Sequence, residues 1–368
     1  MSAKRPVRIG IVGCGEIAQL MHLPFLDESP EYEIVALCDL SLGTVKALAE
    51  RYRVPTYYLQ SDDLMADPAV DAVIVCSFDH APVALSAIEA GKHVLIEKPL
   101  AFTPQEGRSV QRAADTSGLV AMVGYMKLFD PGFQLGLEAI ANSGPARRRQ
   151  VHNLAGRLDS YKSLYDQVRV NDIPSGVLDA SLAGINDRIA VHLADRDGWT
   201  ELYTMLLMLG AHDLAVIRTA FGTPIKVSYA SSSGQNNLTA VLEYPDGVPL
   251  LFEIGVGTRY DWWDEWLTVD TDTAQVRIEF SHPYIRYAPT TVQLRDSRFG
   301  VEGRSVHTPT ANDPFRIELA HFADAIRNGT PVRSTIEGGL LDLELATDLI
   351  CALPPLDAKG ETNGEAGN

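Results

Sequence analysis

Residues 7–39, VRIGIVGCGEIAQLMHLPFLDESPEYEIVALCD, decide the fold. Val7–Val12 is a short β-branched run that predicts a buried parallel strand. Gly13, Gly15 and Ala18 follow at G-x-G-x-x-A spacing, and helical spacing then continues through about Leu26. A second apolar run, Glu33–Asp39, ends in an acid 24 residues after Gly15. Strand, glycine turn, helix, strand and terminal acid in one unit form the fingerprint of a dinucleotide-binding βαβ fold.

The residue types follow from what such a site must do. Gly13 permits the tight turn, Gly15 lets backbone approach a pyrophosphate, and Ala18 keeps the helix near the sheet. Glu16 and Ile17 open the helix, whose free N–H groups face the phosphates. Asp39 is placed to accept hydrogen bonds from both ribose hydroxyls and to repel a 2′-phosphate. Neither Leu40 nor Ser41 supplies a positive charge, so the expected cofactor is NAD rather than NADP.

The βα alternation continues beyond this unit. Strands are expected at 71–77, 93–97 and 120–125, with helices at about 44–52, 82–90 and 104–117. Ligands in such sheets sit at the carboxyl ends of the strands. Ser77, His80, Glu97, Lys98 and Tyr125 all fall just past strand ends, on the rim where a cofactor and a reaction would be.

Composition bounds the rest. At 368 residues, with 46% hydrophobic and 21% charged residues, the chain has material for two domains with ordinary cores. Its net charge of −17 argues against nucleic acid or an anionic membrane as partner. Cys14, Cys38 and Cys76 lie in or beside apolar runs. With Cys351 they show no metal-ligand spacing, so no metal is expected, and free thiols suit a reducing, cytoplasmic setting. The opening MSAKRPVRIG lacks the apolar stretch of a signal peptide. No apolar run approaches the roughly 20 residues of a membrane span. The polar, Gly-rich tail 356–368 is expected to be flexible.

Ala90-Gly91-Lys92-His93-Val94, then Glu97-Lys98-Pro99, then Gly124-Tyr125-Met126-Lys127, joined to the glycine turn, resemble the Gfo/Idh/MocA family of NAD(P)-dependent oxidoreductases. The resemblance covers residues 7–131 well and the remainder loosely. It implies a Rossmann domain over 1–125 and a substrate-binding α+β domain over 126–355. The second domain would be built on a large open, mostly antiparallel sheet whose face commonly mediates homodimers or homotetramers. It also implies that Lys98 lies beside the nicotinamide and the substrate hydroxyl, with Tyr125 shaping the pocket. A Lys–Pro bond at such a strand end can be cis.

The second domain departs from the family pattern. Members carry an Asp four residues before a His on the helix that faces the nicotinamide. Here Gly210-Ala211-His212 keeps the His, but Met208 stands where the Asp would be, and the acid is the adjacent Asp213. This His-Asp variant suggests a divergent branch. His212 is the acid/base candidate, since imidazole exchanges protons near neutrality. Asp213 points about 100° away on a regular helix, toward the first domain or solvent.

Residues 155–200 show little periodicity and read as a long binding loop or lid. Tyr161, Lys162, Tyr165, Asp179, Asn186, Asp187, His192 and Trp199 are candidate contacts there, and Lys127 and Asp213 are further substrate candidates. Trp262, Trp263, Asp264 and Trp266 form an aromatic cluster suited to stacking on a sugar ring or to packing. A bent helix is expected at 200–221, strands at 225–231, 237–244, 250–256, 265–270, 274–280 and 291–295, and helices at 315–327 and 336–351.

Three functions are compatible with this pattern. One is an NAD-dependent dehydrogenase of a sugar, cyclitol or glycoside. Another is an NAD-retaining enzyme that oxidises a sugar transiently to allow elimination, as in deglycosylation. The third is a non-catalytic dinucleotide or sugar sensor. The carbohydrate class comes from the resemblance alone.

Overall fold

A computed structural model describes residues 5–156, 164–257, 262–298, 301–310 and 312–356. Tyr161, Lys162 and nearly all of the 356–368 tail lie outside the described residues. The chain divides into two compact units. The first comprises Met1–Met126, Ser163–Ile185 and Pro314–Leu340, and the second comprises Lys127–Lys162, Asn186–Asp313 and Leu341–Asn368. Residues 163–185 and 314–340, which a linear division gives to the second domain, thus belong with the first.

In the first unit, β1 (Val7–Val12), β2 (Tyr32–Cys38), β3 (Thr56–Tyr58), β4 (Ala72–Val75), β5 (His93–Glu97) and β6 (Ala121–Gly124) form a parallel sheet in the order β3-β2-β1-β4-β5-β6. Ile9, Ile11, Ile74, Leu95 and Ile96 are fully buried, as strands covered on both faces require. Each such side chain contributes about 1.5–3 kcal/mol of burial. The helix after the glycine turn contains a π-helical turn, Ala18–His22, before α1 (Leu23–Glu28). Four helices follow: α2 (Leu42–Tyr52), α3 (Ser61–Met65), α4 (His80–Glu89) and α5 (Pro104–Ser117). Thr103 and Glu106 form a reciprocal capping box at the start of α5, with Pro104 in the first turn.

The later segment α10 (Pro314–Asn328) completes this unit. Tyr32 donates to the Leu319 carbonyl at 2.5 Å, Arg327 donates to the Glu31 carbonyl at 2.5 Å, and the Val123 amide donates to the Ser334 carbonyl at 3.0 Å.

The second unit holds an eight-stranded sheet of β7 (Ala146–Ala155), β8 (Lys226–Ser231), β9 (Asn237–Glu243), β10 (Leu250–Val256), β11 (Asp264–Thr271), β12 (Ala274–Glu279), β13 (Thr291–Arg298) and β14 (Val301–His307). The order is β14-β13-β12-β11-β7-β10-β9-β8, antiparallel except for the β7–β10 pair. The expected large, mostly antiparallel sheet is present. Sequence reasoning missed β7, whose ARRRQ start masks an alternating pattern, and also β3, α3 and β14. It missed α6 (Pro131–Ala141) as well, which Asp130 caps by accepting from Gly132 and Phe133 amides at 2.6 and 3.2 Å.

The reading of 155–200 as irregular is corrected. Val177–Leu193 is a helix, α7, continued by a 3₁₀ segment (Ala194–Trp199) into α8 (Thr200–Met205). Leu178, Leu182, Ile185, Ile189 and Leu193 recur at helical spacing, but interspersed Asp, Gly and Ser obscured the period. The bend expected near Gly210 is a π-helical turn, Leu206–Gly210, that leads into α9 (Ala211–Phe221). The whole helical stretch 177–221 is long and apolar enough by length and composition to cross a membrane, and half of its most apolar window is buried in the protein. The expectation that no apolar run approaches that length is corrected here, since interspersed polar residues hid the stretch in the sequence. α11 (Ile336–Cys351) closes the chain.

Candidate active site

The glycine turn fits a dinucleotide. Gly13 has φ +92°, and a Cβ there would collide with the Ser77 backbone, so only glycine serves. At Gly15 an added Cβ would meet nothing within 4 Å among the described residues, which leaves the turn open to a pyrophosphate. Glu16 and Ile17 are half-buried just beyond it.

Asp39 follows the end of β2. Its Oδ2 accepts from the Cys14 amide and its Oδ1 from the Ser41 amide, each at 2.8 Å. These bonds hold the carboxylate between the glycine turn and the start of α2. Each oxygen keeps lone-pair capacity for a ribose hydroxyl.

At the end of β5, Glu97 is buried, with Oε1 2.6 Å from His22 Nε2 and Oε2 accepting from the Lys98 amide at 3.1 Å. Burial works to raise its carboxyl, but the His22 hydrogen bond and nearby positive charge outweigh it and hold Glu97 below the usual carboxylate range. Lys98 is half-buried, and the Lys98–Pro99 bond is cis. Ser77 is half-buried and donates to the Asp79 carbonyl at 3.3 Å. His80 is buried, and its Nδ1 lies 2.6 Å from the Pro99 carbonyl. Burial lowers its pKa, so it is neutral and acts as a tie between α4 and the Lys98–Pro99 segment. Tyr125 lies in the interior of this unit. Also within it, Glu318 of α10 is fully buried, with neither carboxylate oxygen hydrogen-bonded among the described residues. Burial and the neighbouring Glu97 charge push its carboxyl well above the ordinary range.

In the second unit, Asn153 on β7 and Glu265 on β11 are register partners and so share a sheet face. Asp213 of α9 enters between them. Asn153 Nδ2 donates to Asp213 Oδ2 at 2.8 Å, and Asp213 is hydrogen-bonded to Glu265. Glu265 also receives the Lys127 ammonium and, at 2.8 Å, Trp263 Nε1. Burial and the Glu265 charge push the Asp213 carboxyl well above its normal value, so Asp213 carries a proton. Protonated Asp213, ionised Glu265 and Lys127 make a neutral cluster beneath the first turn of α9, where His212 stands half-buried.

Several expected contacts are corrected here. Asp213 turns inward to the sheet and not to solvent, and Lys127 is equally enclosed, which leaves almost no surface for a ligand on either. Trp199 is 1% exposed and donates to the Pro354 carbonyl at 2.8 Å, a packing role. His192 lies 2.9 Å from the Thr347 hydroxyl. Trp266 stacks on His152 at 5.0 Å and lies under Arg277 at 4.2 Å, and Trp263 packs edge-on to His282 at 4.7 Å. Trp262 is 61% exposed, while Asp264 is half-buried. Asp179, Asn186 and Asp187 lie exposed along α7, and Tyr165 is half-buried. Sequence reasoning missed His22, Asn153, Glu265 and Glu318. A polar residue flanked by apolar ones, as in Leu20-Met21-His22-Leu23, was the available signal.

Glycine turn and strand-end acid, on a parallel sheet in this strand order, define a dinucleotide-binding Rossmann unit. Residues 7–125 match the Gfo/Idh/MocA oxidoreductase family, NAD-binding Rossmann fold, and the chain as a whole has the fold of these oxidoreductases. The oxidoreductase YrbE of Bacillus subtilis, of uncharacterised activity, is 34% identical over 129 residues, 34% of this chain and 37% of that protein. The D-glucoside 3-dehydrogenase of Escherichia coli is 35% identical over 117 residues, 31% of this chain and 33% of that protein. The chain thus aligns with little more than a third of the length of these relatives. The structure of KijD10, a 3-ketoreductase from Actinomadura kijaniata in complex with NADP and TDP-benzene, superposes with a TM-score of 0.72. Its identity is 20%, and the match covers 93% of this chain and 96% of that one.

Proposed function

We propose that the protein is an NAD-dependent oxidoreductase that transfers hydride between the nicotinamide and a secondary alcohol of a sugar, cyclitol or glycoside. The observation that carries the cofactor part is Asp39, a carboxylate fixed by the Cys14 and Ser41 amides at the end of β2. A 2′-phosphate there would meet a negative charge where NAD presents a hydroxyl. Gly13 and Gly15 would hold the pyrophosphate, and Ser77 belongs to the same rim. The carbohydrate class is supported by the partial alignment with a D-glucoside 3-dehydrogenase.

The bound nicotinamide would supply the hydride chemistry. Lys98 hydrogen-bonds the reacting oxygen and stabilises the negative charge that develops on it. His212 takes the hydroxyl proton. Glu97 holds the Lys98 backbone through its amide and acts as a positioning residue. The buried Lys127–Glu265–Asp213 cluster fixes the first turn of α9 and with it the His212 backbone.

The experiment is a binding titration with NAD⁺ and NADP⁺ followed by a panel of polyols and glycosides read at 340 nm. Tighter NAD⁺ binding, lost at least tenfold in Asp39→Ala, together with NADH formed from one carbohydrate, supports the assignment. Product without net NADH would make it an enzyme of transient oxidation and elimination. NAD⁺ binding with no conversion of any carbohydrate would make it a sensor.

A further inference from the structure

The part of the 155–200 segment that returns to the first unit does not hang free. Residues 164–172, LYDQVRVND, lie across the glycine turn and the start of α2 with four anchors. The Gln19 side-chain amide pairs with the Val168 backbone, donating to its carbonyl at 3.0 Å and accepting from its amide at 2.8 Å. The same Gln19 nitrogen donates to the Cys14 carbonyl at 2.8 Å. Val170 fills the space left by Gly43, where an added Cβ would come within 2.6 Å of it. Arg51 donates to the Asp166 carbonyl and carboxylate at 3.0 and 2.9 Å. Asp172 accepts from the Ser41 hydroxyl and, at 2.7 Å, from the Gly43 amide.

The last anchor bears on cofactor choice. A helix presents unsatisfied N–H groups in its first turn, and these attract anions. In α2 the Thr44 amide is taken by Ser41 Oγ at 3.0 Å and the Gly43 amide by Asp172. The Ser41 hydroxyl and the Gly43 amide lie two and four residues beyond Asp39, where a phosphate on the 2′-oxygen would have to find partners. Asp172 occupies them and adds a second negative charge. Among the described residues, Arg51 is matched by Asp166 and Arg169 by Glu16 at 3.5 Å.

We propose that residues 164–172 form a strap closing the adenosine end of the dinucleotide site, and that Asp172 acts with Asp39 to exclude a 2′-phosphate. This rests on the reading that the dinucleotide lies on the Gly13–Gly15 turn with its adenosine ribose at Asp39.

The test uses the full chain and measures Kd for NADH and NADPH by fluorescence titration in wild type, Asp172→Ala and Gly43→Ala. In Asp172→Ala the ratio of Kd for NADPH to Kd for NADH falls about tenfold, because two donors are released and a charge is lost. Gly43→Ala shifts the ratio in the same direction with every carboxylate intact, because its methyl displaces Val170. A wild type that prefers NADH but whose ratio moves less than threefold in both variants overturns the strap and leaves the Asp39 assignment standing. A wild type that prefers NADPH overturns both.

Discussion

His22 Nε2 lies 2.6 Å from Glu97 Oε1, and both side chains are buried. With Glu97 ionised, the imidazole is the donor, and the bond replaces water for a charge in the interior. Glu97 titrates below its unfolded value in the folded protein, so the stabilisation is present above the ordinary carboxylate range. It is lost as pH falls through the folded value. His22→Ala should therefore cost about 3 kcal/mol at neutral pH and unfold at a higher pH than wild type on acid titration. Equal losses at pH 4 and pH 7 in urea melts would contradict this.

Glu318 behaves in the opposite sense. Its folded carboxyl lies well above the unfolded value, so its contribution is full below the ordinary carboxylate range and lost as pH rises toward the folded value. Glu318→Gln keeps the shape and removes the titration. The Tm difference, variant minus wild type, should grow in the variant's favour between pH 5 and pH 8, as thermal melts across that range would show.

The cluster of Asp213, Glu265 and Lys127 separates a protonated acid from an ionised one. An amide mimics a protonated carboxyl, so Asp213→Asn should change stability by less than about 1 kcal/mol at pH 7. Lys127→Met strands the Glu265 charge and should cost about 3–5 kcal/mol. Denaturant unfolding of both variants distinguishes them, and a large loss in Asp213→Asn would mean that Asp213 is ionised.

Lys98 is assigned to charge that develops during reaction. Lys98→Met should lower kcat by about 10²–10³-fold with NAD⁺ affinity altered far less, measured by steady-state kinetics beside a binding titration. His212→Ala should lower kcat by about 10²–10⁴-fold. Unchanged turnover in either variant removes that residue from the chemistry.

The dinucleotide half was legible because its signals are local. Gly13, Gly15 and Asp39 fall within one βαβ unit, and each is dictated by a single backbone or charge requirement. The interior of the second unit was not, because Lys127 meets Glu265 across 138 positions and Asn153 meets Asp213 across 60. Nothing near Asp213 in sequence says which way it faces. A regular helix fixes the angle to His212 but not which side the sheet will cover. α7 was missed for a different reason, since its apolar period was present but diluted by Asp, Gly and Ser. The strap left no periodic trace, because it binds through backbone groups, the Asp166 and Asp172 carboxylates and the single apolar side chain of Val170.

The nucleotide-binding unit is assembled from three separate stretches, the last ending at Leu340. A ribosome delivers the glycine turn within the first few seconds of synthesis, at roughly 5–20 residues per second. The partners of Tyr32, Glu31 and Val123 emerge only with residues 319–334. A nascent chain therefore carries an incomplete nucleotide-binding unit for most of its translation. A message truncated before α10 yields a first unit without the partners of Tyr32, Glu31 and Val123.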